Sequence, residues 1–393
     1  MDHTINIFEQ LSYVRLQLSE YRISIKYITP YSAEKMTLRT RLPQRRGRIG
    51  QLVLLVLLAF CLFMLGSSLA DKDDAFLEFD DTLLEEELVY PEWFKLSIGD
   101  LKVDIREAAE AGKSGIAVYF GQKLCAYCEQ FLQENLGAPD IERYIREHYD
   151  IIPIAIWGIE DIVDTNGETY TERQLSLRYK TNFTPSLVFY NLDGKPVFRL
   201  RGYYPPYKFR AALQYVTEGF HKEETFKEYL DRAEPGVFFR LAGLNERDFF
   251  IEPPYDLDRS KQPGTSHLAV FFEQGDCHAC DLLHTGPLNE QTTVDEIHNM
   301  DSVQLNIWSD TPVITPAGNH TTAREWAQDL NLFYTPTIVF FDYNGQEIIR
   351  IDSVVQYYRL LSVLQYINQK AYLTDDDYQG WRLKQRKISE SDS

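Results

Sequence analysis

Residues 115–132 read GIAVYFGQKLCAYCEQFL, and residues 267–284 read HLAVFFEQGDCHACDLLH. In each stretch, an apolar run typical of a buried strand leads into a Cys-x-x-Cys pair, and a run that can form a helix follows. The pairs are Cys125 with Cys128 and Cys277 with Cys280. Apart from Cys61 in an apolar N-terminal run, the chain has no other cysteine. Thiols that occur only in pairs at this spacing indicate a redox site, and this site occurs twice.

The sequence around the two pairs also repeats. Pro185 and Pro336 are 151 residues apart, and from Trp157 onward the two halves of the chain align without a gap at that shift. The alignment extends to Tyr215 and its counterpart Tyr366. A period this long exceeds the about 20–50 residues of solenoid repeats, so it indicates a duplicated domain. A copy of ~150 residues is long enough to bury a core of its own.

Composition and charge predict five segments. These are an N-terminal extension with a signal peptide or anchor (1–70), an acidic linker (71–94), a first domain (95–232), a second domain (233–374) and a polar tail (375–393). Residues 71–87 hold nine Asp or Glu and one Lys, a composition typical of a solvated linker. The net charge of −19 disfavours nucleic acid as a partner.

The N-terminal region predicts export. Five arginines between positions 39 and 48 precede an unbroken apolar run of 14 residues, 52–65, and Ser68-Leu69-Ala70 then supplies the small residues of a signal-peptidase site. Because a membrane span needs about 20 residues, this run favours a cleaved signal peptide. The alternative is an uncleaved inner-membrane anchor over residues 49–70. Either way, the two domains are expected in the periplasm.

Both copies predict the same order of elements. Strands are expected at 116–120 and 151–157 in the first copy and at 268–273 and 303–308 in the second. A polar stretch follows, with a helix predicted there in the first copy, and then a hairpin that turns at Asp193-Gly194 or Asn344-Gly345. A final helix, 207–218 or 357–370, closes each copy. This order predicts two tandem α/β three-layer domains, each with a central mixed β-sheet.

A Thr-Pro dipeptide stands about 60 residues after the first cysteine of each pair, directly before a strand and an Asp/Asn-Gly hairpin. The dipeptides are Thr184-Pro185 and Thr335-Pro336. Together with a Cys-x-x-Cys pair at a helix start, this arrangement resembles the thioredoxin fold. The long insert after Trp157 and the stretch Arg-Leu-Arg-Gly-Tyr-Tyr-Pro-Pro from Arg199 look most like exported SoxW-type thioredoxins, which are linked with periplasmic thiol reduction and sulfur-compound oxidation. The resemblance covers residues 95–230 and 237–372.

The spacing of the cysteines assigns them different tasks. In thiol-disulfide exchange a thiolate attacks a disulfide, and a second thiol resolves the mixed disulfide. Two intervening residues place the first sulfur at a helix N-terminus, where the amide dipoles favour the thiolate, and the second sulfur one turn inside. The candidate nucleophiles are therefore Cys125 and Cys277, and the candidate resolving thiols are Cys128 and Cys280.

The resemblance implies further site residues. In the family the proline before the strand is cis and lies against the active-site sulfurs, which implies this position for Pro185 and Pro336 and the exclusion of metal. It also implies that the backbone of Thr184 and Thr335 pairs with an extended substrate. The family's Trp before the first cysteine is replaced by Leu124 and Asp276, and its buried Asp by Tyr119 and Phe271, so redox direction and rate are open.

The residues between the cysteines are expected to modulate the two sites differently. Protonated His278 would stabilise the Cys277 thiolate and make the second site the more oxidising one. Asp276 opposes this effect, because it repels the developing negative charge. In the first site Ala126-Tyr127 carries no charge, so this site is expected to resemble the reducing members of the family.

Two other interpretations of the cysteines are weaker. Inert disulfides that only stabilise helix starts are disfavoured, because so short a ring adds little loop-closure entropy. A metal site at Cys277, Cys280 and His284 is disfavoured, because a structural zinc site requires four ligands. In addition, the residue that aligns with His284 in the first copy is Leu132, which cannot bind a metal.

The sequence thus predicts an exported thiol-disulfide oxidoreductase, a reductase of protein disulfides or small sulfur compounds, that needs no cofactor. A membrane thiol-electron transporter is the implied electron donor. The alternatives are an oxidase or isomerase, or a non-catalytic peptide-binding or metallochaperone module on the same fold.

Overall fold

The computed structural model describes residues 76–232, 243–374 and 377–391. The predicted signal peptide or anchor lies outside these residues. Within the described part of the chain, no helix is long and apolar enough to cross a membrane.

The first repeat is built on a four-stranded sheet. Its elements are α1 (Leu101–Glu110), β1 (Gly115–Gly121), α2 (Ala126–Gln130), α3 (Pro139–His148), β2 (Tyr149–Ala155), β3 (Asp161–Val163), β4 (Thr169–Thr171), α4 (Glu172–Arg178), β5 (Ser186–Asn191), β6 (Pro196–Arg201), α5 (Pro206–Thr217) and α6 (Phe226–Asp231). The main sheet has the order β2-β1-β5-β6, with β1 parallel to β2 and antiparallel to β5. Strands β3 and β4 form a separate hairpin.

The second repeat has the same arrangement. Its elements are β7 (Tyr255–Asp256), β8 (His267–Glu273), α7 (His278–Thr285), α8 (Gln291–Ile297), β9 (Met300–Asn306), β10 (Pro312–Ile314), β11 (His320–Thr322), α9 (Ala323–Asp329), β12 (Thr337–Phe341), β13 (Glu347–Ile351), α10 (Tyr357–Asn368) and α11 (Tyr378–Ser391). The main sheet is β13-β12-β8-β9, again with one parallel pair, β8 with β9. The prediction of two tandem α/β domains with mixed sheets is confirmed.

The central strands explain the layered architecture. Every residue of β1 and of β8 is buried, because helices cover both faces of each sheet. In β1, Ala117 and Tyr119 face one hydrophobic cluster while Ile116 and Val118 face another. This alternation follows from the two-residue period of a strand, and it produces the predicted three layers.

The acidic segment differs from the solvated linker that its composition predicts. In residues 76–94, Leu77 and Phe94 are buried in the core of the first repeat, and further apolar side chains of the segment pack against that core. Apolar residues are interspersed among the carboxylates here, so the segment can bury one side and leave Glu85–Glu87 exposed. The expectation of a solvated linker is wrong for this part of the chain.

The predicted polar tail is also partly structural. Its described residues form α11, which buries Tyr378 and Trp381 in the core of the second repeat. The Gln379 side chain donates a hydrogen bond to the backbone oxygen of Asn182 in the first repeat. Two aromatic anchors on one helical face override the polar average composition of the segment.

The two repeats meet through equivalent residues. The amide of Val354 donates to the carbonyl of Tyr203 at 3.0 Å, and Arg201 pairs with Asp352 at 2.9 Å. A Cβ at Gly202, whose φ is +96°, would lie only 2.1 Å from Oγ of Ser353. All three pairs are related by the 151-residue shift. Such self-complementary contacts are those of a two-fold homodimer, here joined in one chain.

Each repeat also places an aromatic residue in the core of the other. Phe183 belongs to the hydrophobic cluster of the second repeat, and its counterpart Tyr334 belongs to that of the first. Both residues stand directly before a Thr-Pro dipeptide. Their packing in the other repeat therefore fixes the position of each Thr-Pro loop relative to the neighbouring repeat.

The start of β8 predicts a pH-dependent stability. His267 is buried, lies 3.0 Å from the Tyr372 hydroxyl, and has its pKa lowered to about 4 by burial and by the charges of Lys370 and Arg259. The unfolded chain takes up the proton near pH 6.5, so stability falls as pH drops from about 6.5 toward 4. We expect urea unfolding to show a loss of about 1–2 kcal/mol between pH 7 and 5 from this group.

Replacing His267 with Gln should remove that part of the pH dependence. The exposed His298 is the control, and His298→Ala should retain it. An unchanged pH dependence in His267→Gln would argue against this role for the buried imidazole.

Candidate functional site

The first cysteine of each pair caps a helix. Cys125 is the N-cap of α2 and Cys277 that of α7, and each sulfur accepts a hydrogen bond from the amide of its partner cysteine at 3.1 Å. Both pairs are disulfide-bonded. The second cysteines, Cys128 and Cys280, are fully buried, whereas the first retain 8% and 7% exposure. In the reduced form this position favours a thiolate on the first sulfur.

The Thr-Pro loops lie against the cysteines. Both Thr-Pro bonds, at Pro185 and Pro336, are cis. The Thr184 carbonyl oxygen is 3.9 Å from Sγ of Cys125, and the Thr335 carbonyl oxygen is 3.8 Å from Sγ of Cys277. The structure thus brings each threonine next to its first cysteine. The catalytic and substrate-binding roles assigned from the sequence stay predictions.

A glutamine that sequence reasoning missed lies beside each pair. Gln122 donates from Nε2 to the Thr184 hydroxyl at 2.8 Å and accepts from the Trp157 indole at 3.1 Å. In the second repeat Trp308 donates to Gln274 at 3.0 Å. A signal was present, because a glutamine stands three residues before the first cysteine in both copies. In the first repeat these bonds connect the repeated tryptophan to the Thr-Pro loop.

Tyr127, predicted to modulate the first site, contacts both the second repeat and the segment that precedes the first repeat. Its hydroxyl donates to Asp81 at 2.9 Å and accepts from the amide of Gln356 at 2.8 Å. The guanidinium of Arg359 lies 3.2 Å from the ring centroid. Burial raises the pKa of Tyr127 well above its ordinary value, so the phenol stays protonated.

Arg359 also reaches the Thr-Pro loop. Its Nη2 donates to the Thr184 carbonyl at 2.9 Å. Asp81 holds the start of α10 in place, because its carboxylate accepts the amides of Tyr358 and Arg359 at 2.9 and 2.8 Å. Burial lowers the pKa of Arg359 from its ordinary value. The cavity that the described residues form beside Cys125 is small, about 30 Å³.

The second site opens into a larger cleft. His278, predicted to modulate this site, is exposed. The cleft beside Cys277 measures about 370 Å³. Its walls come from both repeats and include Leu230, Ile307, Trp308, Leu332, Phe333 and Tyr334. Lys227 lies 4.8 Å from the Trp308 ring and pairs with Asp231 at 2.7 Å, so the cleft is largely apolar with a neutralised charge pair at its edge.

His284 pairs with a carboxylate and not with the cysteines. Its Nε2 lies 3.0 Å from Oε1 of the fully buried Glu273. Gln304 donates to the other carboxylate oxygen at 3.1 Å. Among the residues that the structure describes, no group of three His, Cys, Asp or Glu side chains could hold a metal ion.

Comparison with known families identifies the repeats. A family model described as a thioredoxin-like domain matches residues 101–217 and 253–368, more than half of the chain. Each match lies inside one predicted domain, although the boundaries at 95–232 and 233–374 stay predictions. None of the curated proteins matches the chain.

Solved structures give local similarities. The chain is similar to a thioredoxin-fold protein from Helicobacter pylori, with 25% identity and a TM-score of 0.27 over 30% of this chain and 78% of that chain. A thioredoxin from Thermus thermophilus shows 25% identity and a TM-score of 0.24, over 29% and 81%. A disulphide isomerase from Xylella fastidiosa Temecula1 shows 15% identity and a TM-score of 0.22, over 37% and 100%.

Proposed function

The chain belongs to the thioredoxin-like family and is a thiol-disulfide oxidoreductase, and on that premise we propose that it acts as a reductase of protein disulfides or small sulfur compounds. One observation carries the proposal. In both repeats the first cysteine sulfur lies at a helix N-terminus and within 4 Å of the threonine carbonyl before a cis proline. At both sites this geometry presents a thiolate beside a backbone carbonyl, and at the second site, where Thr335 lies half-buried at the cleft, that carbonyl can hold an extended substrate.

The order of the reaction steps follows from the difference in burial between the first and the second sulfur of a pair. In the reduced enzyme the Cys277 thiolate attacks one sulfur of a substrate disulfide, whose S–S bond breaks, and the leaving thiolate takes a proton. The buried Cys280 then loses its proton and attacks the Cys277 sulfur, which releases the second substrate thiol. Two electrons have passed to the substrate, and the enzyme is left with the Cys277–Cys280 disulfide, the state that the structure shows.

Turnover requires an external source of electrons. We propose that the two domains are exported to the periplasm, as the N-terminal sequence predicts, and that a membrane thiol-electron transporter reduces them there. A SoxW-type role in sulfur-compound metabolism is the more specific form of the same proposal. The acidic surface charge is compatible with protein or small-molecule substrates and disfavours nucleic acid.

Insulin reduction tests the proposed activity. With dithiothreitol as the electron donor, the purified protein should accelerate the precipitation of insulin B chain, and a variant with all four paired cysteines replaced by Ser should not. Elemental analysis of the same preparation should show no stoichiometric metal. A protein that binds peptide or Cu(I) without accelerating insulin reduction would favour the non-catalytic alternative. Faster oxidation of reduced substrate than reduction of insulin would favour an oxidase.

A further inference from the structure

The residues between the cysteines are exposed in one site and covered in the other. In the second site His278 is exposed and Ala279 is half-buried, whereas in the first site Ala126 and Tyr127 are both buried. The sequence motifs are alike in length and position. The difference therefore arises from what the rest of the chain places over each motif, which at the first site is the neighbouring repeat together with the segment around Asp81.

The threonine carbonyls show the same contrast. Thr335 is half-buried at the edge of the cleft beside Cys277. Thr184 is only 2% exposed, and its carbonyl oxygen accepts a hydrogen bond from Nη2 of Arg359. An extended polypeptide that pairs with this loop needs that carbonyl as an acceptor. At the first site a residue of the same chain already occupies the position of the substrate's donor.

Displacing Arg359 is unfavourable. The residue is buried, and its Nη1 already has no hydrogen-bond partner among the described residues. A polypeptide that took the Thr184 carbonyl would remove the partner of Nη2 as well and leave a buried guanidinium poorly satisfied. It would also move the guanidinium away from the face of the Tyr127 ring, whose centroid lies 3.2 Å from it.

The duplication allows Arg359 to be compared with the residue at the equivalent position of the first repeat. Its counterpart at the 151-residue shift is Lys208, at the same position of α5. Lys208 lines the wall of the cleft beside Cys277 and leaves a volume of about 370 Å³ there. The same backbone position thus closes one site and borders the other.

We propose that Arg359 is a specificity-determining residue that confines exchange with polypeptide disulfides to the Cys277–Cys280 pair. This inference rests on the proposed oxidoreductase function and adds which site takes a polypeptide. The apolar walls of the open cleft suit a substrate segment with an aliphatic or aromatic side chain next to its cysteine.

The test compares two trapping proteins that each keep one candidate nucleophile, with Cys61→Ser in both. The first-site trap carries Cys128→Ser with Cys277→Ser and Cys280→Ser, and the second-site trap carries Cys280→Ser with Cys125→Ser and Cys128→Ser. After reduction and removal of the reductant, each is mixed with insulin, and the disulfide-linked adduct is quantified over time by mass spectrometry. We expect adduct formation at the second site to be at least about tenfold faster.

Arg359→Ala is then added to both traps. Because loss of the guanidinium also reduces the fraction of Cys125 present as thiolate, each rate is divided by the thiolate fraction, measured by ultraviolet absorbance. The first-site rate per thiolate should rise by about tenfold or more, and the second-site rate per thiolate should stay within about twofold. Tyr358→Ala is the matched control, because this neighbour on the same helical turn is 47% exposed. Asp81→Ala removes the carboxylate that accepts the amides of Tyr358 and Arg359 at the start of α10. This change should weaken the contact of Arg359 with Thr184, so it should also raise the first-site rate. Circular dichroism melting establishes that each variant is folded.

Each outcome decides the inference. Equal adduct rates at the two sites, or a first-site rate that neither Arg359→Ala nor Asp81→Ala increases in folded protein, would overturn the role of Arg359 while the redox function stands. Adducts at neither site would overturn the proposed function and the inference together.

Discussion

Cys280→Ser is expected to accumulate a covalent mixed disulfide with a protein substrate, and Cys277→Ser is expected to accumulate almost none. The reason is the position of the two sulfurs. Cys277 caps α7, where the amide of Cys280 donates to its sulfur, whereas Cys280 itself is fully buried inside the helix. Only the first sulfur can be reached by a substrate disulfide, and without Cys280 nothing within the pair resolves the intermediate.

The measurement is non-reducing electrophoresis with mass-spectrometric identification of the linked cysteine. Adduct formation by Cys277→Ser should be lower than by Cys280→Ser by about tenfold or more, since a buried thiol has little thiolate and little access. Cys128→Ser and Cys125→Ser should show the same polarity at the first site, with less adduct overall. Equal trapping by both cysteines of a pair would reject the assigned roles.

The second large effect concerns the reduction potentials. We expect the Cys125–Cys128 couple to be the more oxidising of the two and Arg359→Gln to lower its potential. Nη2 of Arg359 and Sγ of Cys125 both contact the Thr184 carbonyl, so the guanidinium lies within about 7 Å of the sulfur. At an effective dielectric constant of about 20, a charge at this distance stabilises the thiolate by about 2 kcal/mol.

Neighbouring charges affect the size of the shift. Arg382 and Arg386 also line the small cavity beside Cys125, where Asp81 is the single carboxylate among the lining residues that the structure describes. The cleft of the second site holds two lysines and two aspartates, which offset each other. After partial compensation by Asp81, we expect Arg359→Gln to lower the first potential by about 20–40 mV, since about 30 mV corresponds to ~1.4 kcal/mol for a two-electron couple.

The potentials can be measured by equilibration with glutathione buffers, with the other pair replaced by serines. His278→Ala is the matched charge variant at the second site, and its effect should be smaller because the imidazole is exposed and Asp276 opposes it. A first couple more reducing than the second, or a potential that Arg359→Gln leaves unchanged, would mean that local geometry rather than charge determines the difference.

This prediction reverses the order that the sequence favours. Sequence reasoning weighs only the charges within each motif, His278 and Asp276 in the second and none in the first. Arg359 is 234 residues from Cys125 in the chain. No local pattern shows that the fold brings it there, and a permanently charged, buried guanidinium outweighs an exposed imidazole.

The sequence by itself determined the duplication, the strand-helix order and the chemistry. These follow from information that is local in the chain: the cysteine spacing, the two-residue period of the strands, and the Thr-Pro and Asp/Asn-Gly dipeptides. Short-range spacing is sufficient to place the thiols at helix starts. Placement of Thr184 and Thr335 beside the sulfurs needed the family resemblance as well, because it depends on contacts across about 60 residues.

The tertiary structure alone decided how the repeats differ. Residues 76–94 and α11 have the average composition of a linker and a tail, yet a few apolar side chains anchor each of them on a repeat. Two nearly equal motifs become a covered site and an open site because Arg359 contacts Thr184 while Lys208 borders a cleft. Burial and long-range pairing are properties of the packed interface between the repeats, so neither is encoded in the spacing of the motifs themselves.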